Sequence, residues 1–370
     1  MRLAGVPRHG GVRERADPPW PVPEPDGGPA GSVVTARVGL VVNPQAATDV
    51  RRLTSLARGV DVHERVNAAA RVLRGLAAAG VEEVSYMREP SGVVESAVQT
   101  LRALGLGLPS EVRPALTEEA ASAAGTSAAA AALRVAEVAC VVTLGGDGTN
   151  RAVASGWPDA VLVPLPAGTN NALATPLDPT AAELAAGLFA RHPARYRRHV
   201  RRVSRLEVDV DGEPAATALV DVAVVRGRWV GAHAIWEPGS LLEAVVAHAS
   251  PVLTGLAGVA GMLRPLNGHR GPLALHLRFG EPGTAILAPL GPGALARLSV
   301  REWRELGPDE RVELRAEGCT IAFDGERELV PAPGARITAR PTRQGPYVLD
   351  AGGLLRALAP IKVQARGGTR

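Results

Sequence analysis

The sequence predicts an α/β fold in which an N-terminal doubly wound parallel-sheet lobe is followed by a C-terminal β-sandwich lobe. Between residues 37 and 165, short apolar runs alternate with helical patterns, which is typical of parallel strands joined by helices. After about residue 195 the pattern changes to strict alternation, as over 205–210, which is typical of antiparallel strands with one buried face. The length of 370 residues suits two domains.

Turn residues and caps bound each predicted element of the first lobe. The apolar run over 37–42 ends at Asn43-Pro44, as expected for a buried strand that closes in a loop. Thr126 or Ser127 is the predicted cap of one helix, and Thr149 that of the next. The predicted strands cover 37–42, 81–86, 138–144 and 160–165, and the predicted helices cover 60–79, 128–137 and 151–156.

The second lobe is predicted to be mainly β-structure. Its first strand, 205–210, leads into the hairpin turn Asp211-Gly212. A helical stretch over 240–248 and a glycine-rich apolar segment up to 263 are predicted to interrupt the strands. Further strands are predicted over 273–279, 298–303, 312–316 and 320–323.

These patterns divide the chain into four predicted parts. Prolines and glycines crowd the first 35 residues, which we interpret as a flexible extension. A nucleotide-binding α/β lobe is expected over 36–190, and a β-rich acceptor-binding lobe over 191–350. Residues 351–370 form a C-terminal tail that can return to the first lobe.

Composition excludes several classes of protein. The longest uncharged apolar stretch, 252–263, is far shorter than the roughly 20 residues of a membrane-spanning helix, so no stable membrane insertion is expected. The N-terminus has no continuous apolar core of the secretory kind, and only two cysteines occur, so we expect a cytoplasmic location. Basic and acidic residues number 41 and 37, and this near balance argues against a nucleic-acid partner. Lys362 is the only lysine, which excludes a Walker A lysine elsewhere.

The most informative motif is the glycine-rich sequence 145–149, which follows a predicted strand. Gly145, Gly146 and Gly148 let backbone N–H groups approach an anion, and a phosphate is the natural ligand. Asp147 can orient a magnesium ion or accept a proton from a hydroxyl nucleophile. The alternative is a tight turn in which Asp147 only caps a helix.

A second polar loop, Gly168-Thr169-Asn170-Asn171, follows the next predicted strand. In a doubly wound sheet the two loops can lie side by side and face one ligand. The amides of Asn170 and Asn171 suit ribose or phosphate oxygens. The alternative is that these asparagines occupy left-handed turn positions.

Both motifs resemble those of the superfamily of NAD kinases, diacylglycerol kinases and sphingosine kinases. Residues 145–149 are similar to its GGDGT signature, and 168–171 to its GTxN signature. Within that superfamily the chain looks closest to the acetoin catabolism X proteins, which are often labelled an ATP-NAD kinase family. Further similar segments are 43–44, 49–53, 64–67, 148–151, 231–236 with Pro265 downstream, and 324–326, so the resemblance covers about 37–340.

The resemblance implies ATP-dependent phosphorylation of a hydroxyl group, with Mg²⁺, in a cleft between the two lobes. By that analogy Asp147 contributes to catalysis, and the glycines with Thr149 hold nucleotide phosphates. Asn43, Asn150 and Asn170 with its neighbours would also bind the nucleotide. A late acidic motif makes Glu326 a candidate base and Asp324 a candidate metal ligand, whereas the alternative for Asp324-Gly325 is a plain hairpin turn. A homo-oligomer is implied by resemblance alone.

Two departures from the family pattern bear on specificity. The first loop has Ala46-Ala47 where relatives typically have Ser-Gly, so an alanine replaces a glycine that would let the backbone approach a phosphate. Asn171 stands where the NAD-kinase branch commonly carries a carboxylate, and an amide lacks the charge that strengthens a bond to a ribose hydroxyl.

Three functional hypotheses follow. The first is an ATP- and magnesium-dependent kinase that converts NAD to NADP. The second is a lipid kinase of the diacylglycerol type, favoured if the apolar segment 252–263 lines an exposed groove. The third is a regulatory protein that binds a nucleotide without turnover. The run 191–205, with seven arginines and no acid, could clamp phosphates but is more often a solvated linker.

Overall fold

The computed structural model describes residues 35–44, 61–167, 171–174, 177–227, 238–266, 271–291 and 293–358, with the backbone alone for 326–328. All of these residues belong to one unit that begins at Thr35. The N-terminal extension, the second-loop residues Gly168, Thr169 and Asn170, the departure at Ala46-Ala47 and the segment 231–236 lie outside the described residues.

A seven-stranded sheet forms the N-terminal lobe and confirms the predicted α/β class. Its order is β3-β2-β1-β4-β5-β17-β6, with parallel pairing throughout except between β17 and β6. The chain leaves the centre of this sheet in opposite directions from β1 and from β4. The strands are β1 Arg37–Val42, β2 Glu83–Tyr86, β3 Glu111–Pro114, β4 Cys140–Gly145, β5 Val161–Pro166, β6 Val200–Arg202 and β17 Tyr347–Leu349.

Helices cover the sheet in two groups, one made of α1, α2, α5 and α8 and the other of α3 and α4. Strands β1 and β4 are buried along nearly their whole length, because their side chains alternate between two covered faces. The helices are α1 Val62–Ala78, α2 Val93–Ala103, α3 Ala123–Val135, α4 Asp147–Gly156, α5 Pro179–Arg191, α6 Pro193–Tyr196, α7 Leu256–Leu263 and α8 Ala351–Leu358.

Two predicted helix caps were wrong. Helix α3 begins before Thr126 and Ser127, because Ser122 caps it by accepting a hydrogen bond from the Gly125 N–H at 3.2 Å. Helix α4 begins at Asp147 with Gly146 in the cap position, which places Thr149 inside the first turn. In both cases the helix extends one turn further towards the N-terminus than the apolar pattern indicates.

Two antiparallel sheets form the C-terminal lobe, as predicted. A six-stranded sheet has the order β12-β11-β10-β9-β14-β15, and a four-stranded sheet has the order β13-β16-β7-β8. Buried side chains from both sheets, including Leu206, Val224 and Phe323, form the core between them. The strands are β7 Arg205–Val210, β8 Glu213–Ala218, β9 Asp221–Arg226, β10 Leu241–Val246, β11 Ala274–Gly291, β12 Ala294–Leu306, β13 Val312–Leu314, β14 Cys319–Phe323, β15 Glu326–Leu329 and β16 Ile337–Thr342.

The helical stretch predicted over 240–248 was wrong, because residues Leu241–Val246 form strand β10. The segment is rich in Leu, Glu and Ala, which favour helices. However, β10 is an interior strand that pairs with β9 on one side and β11 on the other. Tertiary pairing of a buried strand therefore overrides local propensity here.

The glycine-rich segment after β10 contains helix α7, which packs on the outer face of the six-stranded sheet. A Cβ atom at Gly258 would lie 2.3 Å from the Leu253 carbonyl oxygen, and one at Gly261 would lie 2.1 Å from the Ser250 carbonyl carbon. The small residues therefore permit close packing. Within the described part of the chain, no helix combines the length and apolar character needed to cross a membrane.

Candidate active site

The two central strands of the parallel sheet place the first two predicted loops side by side. β1 and β4 pair in parallel, and the Asn43 N–H donates to the Leu144 carbonyl at 3.0 Å just beyond the pairing. The connections from these strands diverge at this point, which is where open α/β sheets bind ligands. The carboxyl edge of β1 and β4 is therefore the natural place for a site.

The glycine-rich turn brings the start of α4 to this edge. Gly145 is the last residue of β4, and α4 begins two residues later. A Cβ atom at Gly145 would lie 2.4 Å from the Thr149 Oγ1, so this close packing of strand and helix requires glycine. The first N–H groups of α4 have no partner within the helix and carry its positive dipole end, which suits an anion.

Asn43 and Thr149 connect the first loop to the glycine-rich turn. The Asn43 amide donates to the Thr149 Oγ1 at 2.9 Å. Arg65, a buried residue of α1, donates to the Asn43 carbonyl at 2.5 Å. These two bonds orient the Asn43 peptide and the Thr149 hydroxyl together.

Asp147 holds the segment that follows the second loop. Its side chain is buried, with the residue 3% exposed. One carboxylate oxygen accepts the Ala172 N–H at 2.8 Å and the other accepts the Leu173 N–H at 3.2 Å. Asn171, partly exposed, directly precedes these two residues. Asp147 therefore anchors the loop after β5 to the start of α4.

Asn150 lies with its side chain against the sheet. It is buried, and its carbonyl oxygen accepts the Thr143 hydroxyl at 2.7 Å. This bond joins α4 to β4. The position suits a structural contact beneath the glycine-rich turn.

Asp324 joins the C-terminal lobe to helix α4. Its Oδ1 accepts the N–H groups of Leu219, Val220 and Asp221 at 3.0, 2.7 and 3.3 Å. Its Oδ2 lies 3.3 Å from the Arg151 Nε, which belongs to α4. Burial raises the pKa of the Asp324 carboxyl, while Arg151 and the three N–H groups oppose that shift.

The Asp324-Gly325 pair also makes the hairpin turn between β14 and β15. Both residues have positive φ, 50° and 83°, as two-residue hairpin turns require. Glu326 begins β15 directly after this turn. Asp324 therefore both forms the hairpin turn and supplies the buried carboxylate.

The two acids that the resemblance makes metal candidates, Asp147 and Asp324, have different surroundings. Mg²⁺ in nucleotide sites is held by one or two carboxylates together with phosphates, so one acid in the glycine-rich turn is sufficient. Asp324 faces a guanidinium and three N–H donors, which are partners for an anion rather than for a cation. Among the described residues, no three His, Cys, Asp or Glu side chains cluster as an all-protein metal site.

A cavity of about 280 Å³ opens beside the glycine-rich turn, between the strand ends and helices α1 and α5. Arg65 and Arg71 of α1 and Glu183 of α5 line it. Glu183 is 1% exposed, and its Oε1 has no hydrogen-bond partner among the residues that the structure describes. Burial raises the pKa of Glu183 to about 7, with Arg71 opposing and Asp178 adding to the shift.

We expect Glu183→Gln to stabilise the fold in a pH-dependent way. The unfolded chain ionises Glu183 near its ordinary pKa of 4.5, whereas the folded chain keeps the proton up to about 7. The wild type should therefore lose stability as pH rises through this window, by about 1–3 kcal/mol. Urea unfolding at about pH 4.5 and pH 8 measures the effect: the variant should match the wild type at the low pH and exceed it at the high pH.

The matched control is Glu64→Gln, which alters an exposed acid at the rim of the same cavity. It should shift the free energy of unfolding by less than about 0.5 kcal/mol at either pH. An equal free energy of unfolding for Glu183→Gln and wild type at pH 8 would contradict the buried, protonated state.

The structure brings some of the predicted site residues together. Asn43, Asp147, Thr149 and the glycines at 145, 146 and 148 meet at one edge of the sheet. Sequence reasoning named neither Arg65 nor Glu183 as a site residue, although Arg65 lies in the segment 64–67 that resembles the family pattern. A usable signal existed for Arg65, since it shares the buried stripe of α1 with Ala69, Val72 and Leu76. Glu183 is likewise the single acid of an alanine-rich helix.

Comparison with known proteins identifies the class and then the family. Residues 38–192 match the ATP-NAD kinase N-terminal domain, and residues 204–344 match the C-terminal domain of acetoin catabolism protein X. The chain thus has a kinase-type fold of the NAD-kinase kind. It is 32% identical over 321 residues to acetoin catabolism protein X of Cupriavidus necator, covering 84% of this chain and 88% of that protein. The chain belongs to the acetoin catabolism protein X family.

Solved structures resemble the chain more loosely. Yeast NADH kinase in complex with NADH has a TM-score of 0.44 and 15% identity, covering 90% of this chain and 89% of that one. A candidate diacylglycerol kinase from Bacillus anthracis has a TM-score of 0.41 and 14% identity, covering 85% and 96%. These scores indicate only a distant likeness.

Proposed function

We propose that this chain is an ATP- and Mg²⁺-dependent kinase that phosphorylates a hydroxyl group of a small molecule, with NAD as the first acceptor. The observation that carries the proposal is the set of contacts at the carboxyl edge of β1 and β4, where the connections from the two strands diverge. The glycine-rich turn leads into α4 at this edge. Thr149 accepts a hydrogen bond from Asn43, and Asp147 accepts two from the segment after β5. The match of residues 38–192 to the ATP-NAD kinase N-terminal domain supports the same activity.

The glycine-rich turn holds the nucleotide phosphates in this proposal. The N–H groups of Gly146, Asp147 and Gly148 supply donors at the start of a helix, where an anion is stabilised. Thr149 adds a hydroxyl that Asn43 orients. The second loop, 168–171, contributes amides for the ribose, and Asn150 supports the turn from beneath.

Asp147 acts by positioning. Both of its oxygens accept backbone N–H groups of the segment after β5, which favours a role in orienting that loop over proton acceptance. Phosphoryl transfer depends mainly on positioning and charge neutralisation, so a strong base is not required. Asp147 would hold Mg²⁺, which when bound neutralises charge on the phosphate oxygens.

The cavity beside the turn takes the remaining part of the nucleotide in this proposal. Arg65 and Arg71 give it positive charge, and the protonated Glu183 offers a hydrogen-bond donor. Asp324 positions α4 through Arg151 instead of binding metal. Glu326 begins β15 two residues after Asp324 and stays a candidate base in this proposal.

ADP release from ATP and Mg²⁺, with NADP formation followed separately, tests the proposal. Purified wild-type chain should release ADP in the presence of NAD and form NADP in equal amount. ADP release with another hydroxyl acceptor, but no NADP formation, would support the kinase activity and rule out NAD as the acceptor. ATP binding with no ADP release across a broad acceptor panel would favour a regulatory protein without turnover.

One observation favours the lipid kinase as the second candidate. Val252, which precedes α7, and Met262, near the end of α7, are 83% and 53% exposed, although most of the helix is buried. Exposed apolar side chains beside a cleft can contact a lipid surface. Co-sedimentation with liposomes that contain diacylglycerol, together with phosphorylation of that lipid, would place this candidate ahead of NAD.

A further inference from the structure

Strand β12 forms one edge of the six-stranded sheet, and the outer side of that edge is open. It stands at the end of the strand order, and within the described part of the chain the backbone of residues 301–305 pairs only with β11. All five of these residues are exposed. The unpaired N–H and C=O groups of such an edge can accept a further strand.

The residues along this edge have a charge pattern that is complementary to itself. Residues 301–305 read Arg-Glu-Trp-Arg-Glu, with a tryptophan at the centre. When a second copy of the segment runs antiparallel with Trp303 opposite Trp303, Glu302 lies opposite Arg304 and Arg301 lies opposite Glu305. Every charged residue of the segment then faces one of opposite sign, which stabilises a pair of strands. The arrangement has the two-fold symmetry of the commonest protein dimers.

Other alignments of the same two segments bring like charges together. A shift of one residue places Arg301 opposite Arg304 in one direction and Glu302 opposite Glu305 in the other. A parallel pair in register places each charge opposite its own copy. Like charges directly opposite each other are destabilising, so the pattern selects one antiparallel register. Charges that only protect an edge from association would need to repel in every register.

The charged side chains at the centre of the segment keep capacity for a second partner. Glu302 pairs with Arg278 of β11 at 3.1 Å, and its side chain is still 58% exposed. Arg304 contacts Glu310, and its side chain is 43% exposed. A carboxylate has two acceptor oxygens and a guanidinium has five N–H donors. Each side chain can therefore bond across the edge without losing its present partner.

Trp303 supplies apolar area at the centre of the same segment. It lies opposite Leu277 of β11 and is 39% exposed. Directly opposite residues of an antiparallel pair bring their Cβ atoms to about 4.5–5.5 Å, so two Trp303 rings would pack against each other. Surface ion pairs add little affinity. The ring contact and the backbone hydrogen bonds therefore supply the affinity, and the charges set the register.

We propose that this protein forms a two-fold symmetric dimer in which β12 pairs antiparallel with β12 of a second copy, centred on Trp303. The two six-stranded sheets then join into one continuous sheet. The dimer does not depend on the proposed kinase activity, because none of the residues 301–305 belongs to the candidate active site.

Complementary charge reversals test this pairing in the full chain. Sedimentation velocity should show the wild type, of 38.2 kDa per chain, as a dimer. Glu302→Arg brings two arginines together, and Arg304→Glu brings two glutamates together, at two places in each dimer. Each variant alone should associate at least about 100-fold more weakly than the wild type, because like-charge contacts replace ion pairs. An equal mixture of the two variants should form a dimer again, as should the double variant that carries both changes in one chain.

Two further variants complete the test. Glu310→Gln removes the same contact within the chain as Arg304→Glu but leaves residues 301–305 unchanged, so it should stay dimeric. Trp303→Ala keeps every charge and should weaken the dimer about tenfold or more, as expected for a tryptophan at the centre of an interface. A monomeric wild type, a dimer that is unchanged by either charge reversal, or a mixture that stays monomeric would each overturn the proposal.

Discussion

The Asp147→Asn variant is expected to release ADP at least about 100-fold more slowly than the wild type, because small displacements of a positioned group are that costly in catalysis. An amide offers one oxygen where the carboxylate offers two. It can therefore accept the N–H of Ala172 or that of Leu173, but its NH₂ group must face the other donor. The segment after β5 would therefore shift relative to the glycine-rich turn, and the negative charge of the carboxylate would be lost.

A matched control separates this effect from loss of stability. Glu243 in β10 is also buried, and it accepts the Arg315 N–H at 2.9 Å together with bonds from His276 and Arg278. Glu243→Gln should therefore lower the free energy of unfolding by roughly 1–3 kcal/mol, about as much as Asp147→Asn, without changing any contact of the glycine-rich turn. ADP release per folded molecule should stay near the wild-type rate in Glu243→Gln and fall in Asp147→Asn. Equal rates in the two variants would contradict the positioning role.

The Asp324→Ala variant is expected to lose roughly 3–5 kcal/mol of unfolding free energy, the usual cost of removing one member of a buried ion pair. The substitution removes the carboxylate that Arg151 faces at 3.3 Å. It also deprives the N–H groups of Leu219, Val220 and Asp221 of their shared acceptor. Both losses occur where the C-terminal lobe meets α4, so urea unfolding should detect a large change.

A second hairpin turn with the same Asp-Gly sequence supplies the control. Asp211-Gly212 is a second Asp-Gly hairpin turn, with φ of 53° and 89°, but its carboxylate accepts one exposed N–H, that of Arg336. Asp211→Ala should cost at most about 1.5 kcal/mol. A double-mutant cycle of Asp324→Ala with Arg151→Met should give a coupling energy above about 1 kcal/mol. A cost for Asp324→Ala no larger than that for Asp211→Ala would mean that the buried pair contributes nothing beyond the turn.

The sequence was sufficient for strands β1, β2, β4 and β5 because their signals are local, whereas β3, β6 and β17 of the same sheet were not predicted. The apolar runs that became β1 and β4 end directly at Asn43 and Gly145. Strand β10 was missed because its residues favour a helix in isolation, and only pairing with β9 and β11 makes it a strand. Strand β11 begins at Ala274, so it lies outside any local window around β10.

The position of the candidate site was predictable from the sequence, but the hydrogen-bond partners of its residues were not. The glycine-rich turn indicated where a phosphate could lie, because glycine spacing is a local property. The contacts of Asp147 with Leu173 and of Asp324 with Leu219 join residues 26 and 105 positions apart. Such contacts depend on how the layers pack, which no periodicity encodes. They favour a positioning role for Asp324, which faces Arg151 of α4, over the metal-ligand role that the resemblance implies.

Transfer of labelled phosphate from γ-labelled ATP to NAD is the most direct test of the central claim, that the edge formed by β1 and β4 is a phosphoryl-transfer site. The wild type should place the label in NADP, in an amount equal to the ADP released, and Asp147→Asn should place almost none there. Bound ATP whose label never leaves it, with NAD or with any other hydroxyl acceptor, would contradict the claim.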